Sequence, residues 1–220
     1  MKKRRKNHTG LYIFIAIILI IAGIIAYKQA ARPRYNDPKP PRAFQGGENA
    51  QIVITEFSDF ECPACRSAFP LIKALTREKG DLVRFDYRNF PLISIHPFAF
   101  HAAEAFECAN DQDKAWDMHD MLFENQPRLS PSDIEQMGKD LNLDMEKFNA
   151  CLGSRAKAGI VNDDLKAGRK RGVDSTPTFY INDRKINNWQ LLGTEIKLEL
   201  KKLGISTQTP QPQKDNADEQ

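Results

Sequence analysis

Cysteine is scarce in this chain of 220 residues, which contains only four. Two of them, Cys62 and Cys65, are three positions apart, whereas Cys108 and Cys151 stand alone. A zinc site built on the close pair would need a second pair, or histidines at short spacing, to complete its four ligands. No such pattern follows, so the sequence argues against zinc.

An even distribution of positive charge is also missing. The formal net charge is only +3, and five cations fall in the single run Lys2–Lys6. Such local basicity does not indicate nucleic-acid binding. The chain has no internal repeat, and its 41% of apolar residues suffices for the core of one globular domain of ordinary size.

Charged residues are absent from positions 11–27, which read LYIFIAIILIIAGIIAY. The run is just long enough to cross a bilayer as a helix, and no A-x-A-like cleavage site follows it. We therefore expect an uncleaved single-pass anchor in the inner or cytoplasmic membrane, with residues 1–10 in the cytoplasm; a cleaved signal peptide is the alternative. The body would then face the periplasm or the cell exterior, where disulfides form and persist.

Composition divides the rest of the chain into three parts. Residues 28–50 contain four prolines and two adjacent glycines, which predicts an extended linker. Residues 206–220 are rich in Gln, Pro and Asp, which predicts a disordered tail. The folded body is therefore expected at about 51–205.

Strand and helix patterns alternate within this body. A β-branched run from Ile52 predicts a buried strand, and Pro63 and Gly80 mark the ends of the helix that follows. A period-2 alternation predicts a second strand at 82–87. The further predicted elements are several helices within 97–171, a strand hairpin at 178–182 and 185–187, and a final helix at 191–203.

The Cys62–Cys65 pair lies where the first predicted strand gives way to the first helix. A structural disulfide there would close a loop of two residues and would constrain the unfolded chain very little. A thiol at a helix N-terminus, in contrast, faces unpaired amides, which favour the thiolate and lower its pKa. Cys62 occupies that position, and Cys65, one turn further, can resolve a mixed disulfide formed at Cys62. The order of strand, cysteine pair and helix is typical of thioredoxin-type redox motifs.

A second signal lies far along the chain, at Thr176-Pro177. Pro177 stands directly before a predicted strand, where it cannot donate a ladder hydrogen bond, and a cis peptide there would turn the chain sharply. Alone this is an ordinary turn signal. It becomes informative only in combination with the cysteine pair.

Three stretches together resemble the DsbA-like branch of the thioredoxin superfamily. They are VITEFSDFECPAC, RNFPLISIHPFAFHAAEAFECA and GVDSTPTFYIN, and the resemblance covers nearly the whole body from Ile52 to Leu203. It implies an α/β thioredoxin fold with an inserted helical domain at about 97–172. It also implies a protein-disulfide oxidoreductase, for which we expect neither a cofactor nor a metal.

The resemblance implies a role for five residues. Cys62 would be the nucleophile that forms a mixed disulfide with the substrate, and Cys65 the resolving partner. Pro177 would be a cis-proline facing them, and Thr176 would offer backbone hydrogen bonds to an extended substrate segment. Glu56 would lie under the active site, partly desolvated, and relay the proton of Cys65. A solvated glutamate at a strand edge is the alternative for Glu56.

The direction of electron flow is less well specified by the motifs. The dipeptide Pro63-Ala64 lacks the histidine of the prototype oxidase, which predicts a milder oxidant, and Thr176 is found in isomerase-like members. We favour a dithiol oxidase acting on reduced exported proteins, because 28–50 is too short for the dimerisation domain common in isomerases. Its reoxidant would be a DsbB-like, quinone-linked membrane protein.

Two other functions stay open at this point. One is an extracytoplasmic reductase or isomerase, in which electrons flow the opposite way. The other is a non-enzymatic protein that binds a soft metal such as Cu(I) through the two thiolates, although the chain lacks the excess of methionine or cysteine that such a site prefers.

Cys108 and Cys151 remain outside this chemistry. Two free, buried cysteines would be the expectation for a cytosolic protein. In an exported protein, an even leftover pair predicts a structural disulfide between Cys108 and Cys151.

Overall fold

A computed structural model describes residues 9–30 and 35–205 of the chain. The strands are β1 (Phe44–Gly46), β2 (Ile52–Ser58), β3 (Val83–Asn89), β4 (Thr178–Ile181) and β5 (Arg184–Ile186). The helices are α1 (Thr9–Ala30), α2 (Pro63–Lys79), α3 (Ala99–Asn110), α4 (Ala115–Glu124), α5 (Pro131–Asp140), α6 (Met145–Ser154), α7 (Ala158–Lys170) and α8 (Leu192–Lys202), with short 3₁₀ turns at Gly80–Leu82 and Trp189–Leu191.

The strands form one mixed sheet in the order β1-β3-β2-β4-β5. Strands β2 and β3 are parallel, and α2 connects them; the other neighbouring strands are antiparallel. Helices α3 to α7 lie in the chain between β3 and β4. The predicted fold class, a thioredoxin fold with an inserted helical domain, is therefore confirmed.

Strand β2 leads directly into the cysteine pair. It lies between β3 and β4 and is buried over almost its whole length, as its β-branched sequence predicts. Helix α2 follows after a short turn, with Pro63 in its first turn and Gly80 just past its end. Gly80 has a φ of 47°, a left-handed conformation that glycine adopts at little cost.

An aromatic cluster joins the inserted helices to the sheet. The ring of Phe60, in the turn before α2, packs on Tyr87 of β3 and on Phe123 of α4, with 4.9 Å between ring centroids in each pair. His119 of α4 meets Tyr87 edge to face at 4.9 Å, and Phe106 of α3 contacts both Phe60 and Tyr87. Because this aromatic contact is buried, it fixes the position of the inserted domain beside the turn that precedes α2.

Part of the segment 28–50, predicted as an extended linker, lies in regular elements of the structure. Its first three residues end α1, residues 31–34 lie outside the described part of the chain, and Phe44–Gly46 forms β1 on the edge of the sheet. Strand β1 pairs with β3, so that Phe44 lies opposite Asp86. A strand of three residues has no periodicity of its own, and its partner lies about forty positions away, so local patterns could not indicate it.

Residues 35–43 pack against the folded body, whereas a linker would extend away from it. Arg42 forms an ion pair with the buried Asp164 of α7, with 2.7 Å between nitrogen and oxygen. Tyr35 donates a hydrogen bond from its hydroxyl to Asp111. A buried carboxylate without a partner would be costly, so Arg42 makes this segment part of the folded domain.

Residues 11–27, predicted as a membrane anchor, lie within α1. Among the described residues, no helix combines the length and the apolar character that crossing a membrane requires. The predicted disordered tail at 206–220 and most of the basic N-terminus at 1–10 lie outside the described residues.

Cys108 of α3 and Cys151 of α6 form a disulfide in the structure. Both are buried, and their Cα atoms are 5.9 Å apart. The bridge closes a sequence separation of 43 residues within the inserted domain. It therefore restricts the unfolded chain across α4, α5 and most of α6.

Removing this bridge should destabilise the domain. For the variant Cys108→Ala/Cys151→Ala, loop-closure entropy predicts a loss of about 4 kcal/mol in the free energy of unfolding, measured by urea denaturation. The variant Cys62→Ala/Cys65→Ala makes the same chemical change at two free thiols, and it should lose clearly less in the same buffer without reductant. Equal losses in the two variants would show that the bridge contributes no constraint.

Candidate active site

Cys62 stands at the N-terminus of α2 with its side chain almost covered. It is the N-cap residue of the helix, in an extended conformation, and 7% of its surface is exposed. Its Sγ lies 3.5 Å from the backbone oxygen of Thr176, which accepts a hydrogen bond from the thiol. The sulfur therefore sits between the first turn of α2 and the loop that precedes β4.

The surroundings of Cys62 favour its thiolate. A hydrogen bond from the Cys65 side chain, with further help from Thr176 and from the backbone amides of Cys65 and Ala64, lowers the pKa of Cys62 to about 5 despite its burial. The Thr176 hydroxyl is buried and makes no hydrogen bond within the described part of the chain, so it is free to donate to the thiolate. At neutral pH the sulfur of Cys62 is ionised.

Cys65 differs from Cys62 most clearly in its pKa. Its surface is completely buried, and burial raises the pKa of its thiol well above the ordinary value. The charges of Glu56 and Cys62 act in the same direction. The pair therefore combines an ionised sulfur that keeps a small exposed surface with a protonated sulfur that has none.

Glu56 lies beneath the two cysteines on the inner strand β2. It is 3% exposed, and burial, with the charge of Cys62 as a smaller contribution, raises the pKa of its carboxyl to about 8. The alternative of a solvated glutamate at a strand edge is therefore wrong. Two buried hydroxyl groups without a hydrogen-bond partner in the described chain, those of Ser58 and Tyr87, lie on β2 and β3 beside it.

The loop before β4 faces the cysteine pair. The peptide bond between Thr176 and Pro177 is cis, and β4 then pairs with β2, with Phe179 opposite Glu56. The structure thus brings Cys62, Cys65, Glu56, Thr176 and Pro177 to one place. The role of Thr176 and Pro177 in holding a substrate segment stays a prediction.

Sequence reasoning missed the residues that hold the turn before Cys62. Asp59 accepts a hydrogen bond from the Glu61 amide at 2.7 Å, and its other oxygen accepts one from the Leu92 amide at 2.8 Å and lies 2.7 Å from His96 Nδ1. Gln126, after α4, also binds this turn. Asp59 is visible as a turn residue in FSDFEC, but its distant partners follow no spacing rule in the sequence.

The chemistry that this arrangement allows is a two-step exchange. An ionised, reachable sulfur can form a disulfide with an external thiol, and a buried neighbour can break that bond from the other side. The buried neighbour must then lose or gain a proton, and Glu56 is a buried titratable carboxyl whose charge acts on Cys65.

A family model described as Thioredoxin matches residues 39–196. The chain belongs to this thioredoxin family. Among solved structures, BdbD from Bacillus subtilis in its oxidised form is similar, with 29% identity, a TM-score of 0.65 and coverage of 73% of this chain and 93% of that chain. The thiol-disulfide exchange protein alpha-DsbA2 from Wolbachia pipientis shares the fold, at 21% identity, a TM-score of 0.63 and coverage of 72% and 87%.

The chain also matches part of several longer curated proteins. A protein named Na(+)/H(+) antiporter NhaA 3 from Salinispora tropica is 38% identical over 141 residues, which are 64% of this chain and 22% of that protein. NhaA 1 from Salinispora arenicola is 34% identical over 77% of this chain and 25% of its own length. The chain therefore spans about a quarter or less of these relatives.

The burial of Glu56 predicts how the free energy of unfolding depends on pH. Because its folded pKa of about 8 lies above the ordinary 4.5, the reduced protein should lose stability as pH rises from about 4.5 through 8. The variant Glu56→Gln cannot ionise, so its free energy of unfolding should exceed that of the wild type increasingly over this window, by a few kcal/mol at the upper end. Urea denaturation at several pH values measures the difference.

The exposed Glu48 provides the matched control, since Glu48→Gln makes the same change away from the site. A Glu56→Gln difference that stays constant between acid and alkaline pH would contradict the buried position of this carboxyl.

Proposed function

We propose that this protein is a thiol–disulfide oxidoreductase that donates its Cys62–Cys65 disulfide to cysteines of exported proteins, acting as a dithiol oxidase. The observation that carries the proposal is the contrast between two sulfurs one helical turn apart. The pKa of Cys62 is lowered to about 5, whereas the pKa of the fully buried Cys65 is raised.

The first step of the proposed reaction opens the disulfide of the oxidised protein. A substrate thiolate attacks Cys62 Sγ, a mixed disulfide forms between the substrate and Cys62, and Cys65 leaves with the electron pair of the broken S–S bond. Cys65 takes up a proton because its thiolate is unfavourable in a buried site, and the protonated Glu56 carboxyl supplies it.

The second step releases the oxidised substrate. Another substrate thiolate attacks the substrate sulfur of the mixed disulfide, the new S–S bond forms within the substrate, and Cys62 leaves as a thiolate. The substrate has lost two electrons and the protein has gained them as the reduced pair. Cys62 is a good leaving group because its thiolate is stabilised by the Cys65 thiol, by Thr176 and by the first-turn amides of α2.

The same stabilisation supports the oxidising direction. A stabilised thiolate favours the reduced form of the pair and makes the disulfide a stronger oxidant. The absence of a histidine from Pro63-Ala64 predicts a milder oxidant than the prototype, but the low pKa of Cys62 supports oxidation over reduction. The similarity to a protein described as a thiol-disulfide exchange protein supports the general chemistry.

The proposed location is outside the cytoplasm, on the side of the periplasm or cell exterior. The Cys108–Cys151 disulfide supports this, because such bridges persist mainly in oxidising compartments. Tethering to the membrane through 11–27 remains a prediction from the sequence. Repeated turnover needs an acceptor for the two electrons, and we propose a DsbB-like, quinone-linked membrane protein for that role.

The reduction potential of the Cys62–Cys65 couple tests the direction. Equilibration with glutathione should give a value closer to about −120 mV than to the roughly −270 mV of thioredoxin. The oxidised protein should also oxidise a reduced dithiol peptide stoichiometrically, with loss of this activity in Cys62→Ser. A value near roughly −270 mV would favour the alternative of a reductase.

The control for this experiment is Cys108→Ala/Cys151→Ala, tested at a temperature at which it stays folded. It should retain the potential of the wild type, because its bridge takes no part in the exchange. Stoichiometric Cu(I) binding without any oxidation of the peptide would overturn the enzyme proposal in favour of soft-metal binding.

A further inference from the structure

The side chain of Gln126 reaches from the inserted domain to the backbone of the active-site turn. Gln126 follows α4, and its Nε2 donates hydrogen bonds to the backbone oxygen of Phe60 at 2.8 Å and to that of Cys62 at 2.9 Å. Both hydrogens of one side-chain amide are thereby used on two carbonyls that lie more than sixty residues earlier in the chain. One of these carbonyls belongs to the nucleophile itself.

The turn that Gln126 binds determines where the Cys62 sulfur points. The Cys62 amide donates to the Asp59 oxygen at 3.1 Å, and the Cys62 oxygen accepts the first helical hydrogen bond from Arg66 at 3.1 Å. Asp59 thus holds the turn from the side of β2, and Gln126 holds it from the side of the inserted domain. Between these two contacts, the peptide planes around Cys62 have little freedom to rotate.

One further polar contact joins the inserted domain to the turn, because the Phe98 amide donates a hydrogen bond to the Glu61 carboxylate at 2.8 Å. The other contacts are aromatic. Phe60 packs against Phe106, His119 and Phe123 of the inserted helices, and these rings are buried. This cluster supplies the cohesion between the two parts. The half-buried Gln126 adds two polar bonds at its edge, so we expect its loss to act on the geometry of Cys62 rather than on folding.

We propose that Gln126 is a positioning residue of the active site, which holds the Phe60 and Cys62 carbonyls so that the first-turn amides of α2 and the Thr176 hydroxyl face the Cys62 sulfur. The proposal rests on the proposed exchange function and deepens it. It makes the inserted domain a part of the machinery that ionises the nucleophile.

The physical consequence concerns the charge on Cys62. The N–H groups of Gln126 carry partial positive charge beside Cys62, and with the Arg66 amide they fix the Cys62 carbonyl. Without them, the thiolate loses favourable dipoles, and the turn is held by fewer hydrogen bonds. Seven other titratable groups lie around the site, and a change at position 126 replaces none of them: Glu56, Asp59, Glu61, Cys65, Tyr87, His96 and His119.

The test is the substitution Gln126→Met, which keeps the length of the side chain and removes its donors. The pKa of Cys62, followed through the ultraviolet absorbance of the thiolate in the reduced protein, should rise by about one unit, which leaves roughly tenfold less thiolate at acid pH. Gln136→Met is the matched control, because Gln136 lies on α5 and binds only the exposed Asp140 in the described structure. It should titrate like the wild type.

The variant Gln126→Glu adds a second arm to the experiment. It keeps the shape of the side chain, but it replaces the donors with a carboxylate, so the rise in the Cys62 pKa should exceed that of Gln126→Met. Thermal unfolding of all variants provides a readout of folding alone. Gln126→Met should unfold within a few degrees of Gln136→Met.

Three outcomes decide the matter. A normal Cys62 titration in Gln126→Met would overturn the positioning role while leaving the proposed function intact. A rise in pKa accompanied by a large loss of thermal stability, absent from Gln136→Met, would also overturn it, because Gln126 would then be structural. If wild-type Cys62 itself ionised like free cysteine, the proposed function would fail first, before any variant was compared.

Discussion

The chemistry of this protein depends on keeping charge on one sulfur and away from another, within a single turn of helix. Cys62 occupies the N-terminal end of α2, where backbone amides, the Thr176 side chain and the Cys65 thiol all stabilise a negative charge. Cys65 lies inside the core, where burial opposes any charge. Protons can reach Cys62 from solvent on the outer side and Cys65 from Glu56 on the inner side. An exchange reaction in two steps follows from this asymmetry.

The rest of the fold holds that helix end in place. The inner strand β2 delivers the chain to the turn, β4 brings the cis Thr176–Pro177 peptide against it, and the aromatic cluster around Phe60 fixes the inserted helices beside it. The polar contacts of Asp59 and Gln126 act on a finer scale, because they bind the peptide groups of the turn itself. Apolar packing thus sets the position of the domain parts, and hydrogen bonds set the orientation of the nucleophile.

Sequence patterns predicted the parts of this structure that local chemistry determines. Proline and glycine marked the ends of α2, β-branched residues marked β2, and the helix end identified Cys62 as the acidic thiol. The parts that depend on distant partners were not predictable in this way. Strand β1 exists only through its pairing with β3, and the carbonyls that Gln126 binds lie more than sixty residues away. For the same reason, the sequence did not indicate that residues 35–43 pack on the body, because partners such as Asp164 lie far along the chain.

The central claim can be tested directly by asking which sulfur reacts. The reduced protein is treated with one equivalent of iodoacetamide at about pH 6, above the Cys62 pKa of about 5, and the labelled peptide is identified by mass spectrometry. The account predicts that Cys62 carries the label, at a rate well above that of a free cysteine, and that Cys65 stays unmodified. Labelling of Cys65 first, or of both at the rate of free cysteine, would contradict it.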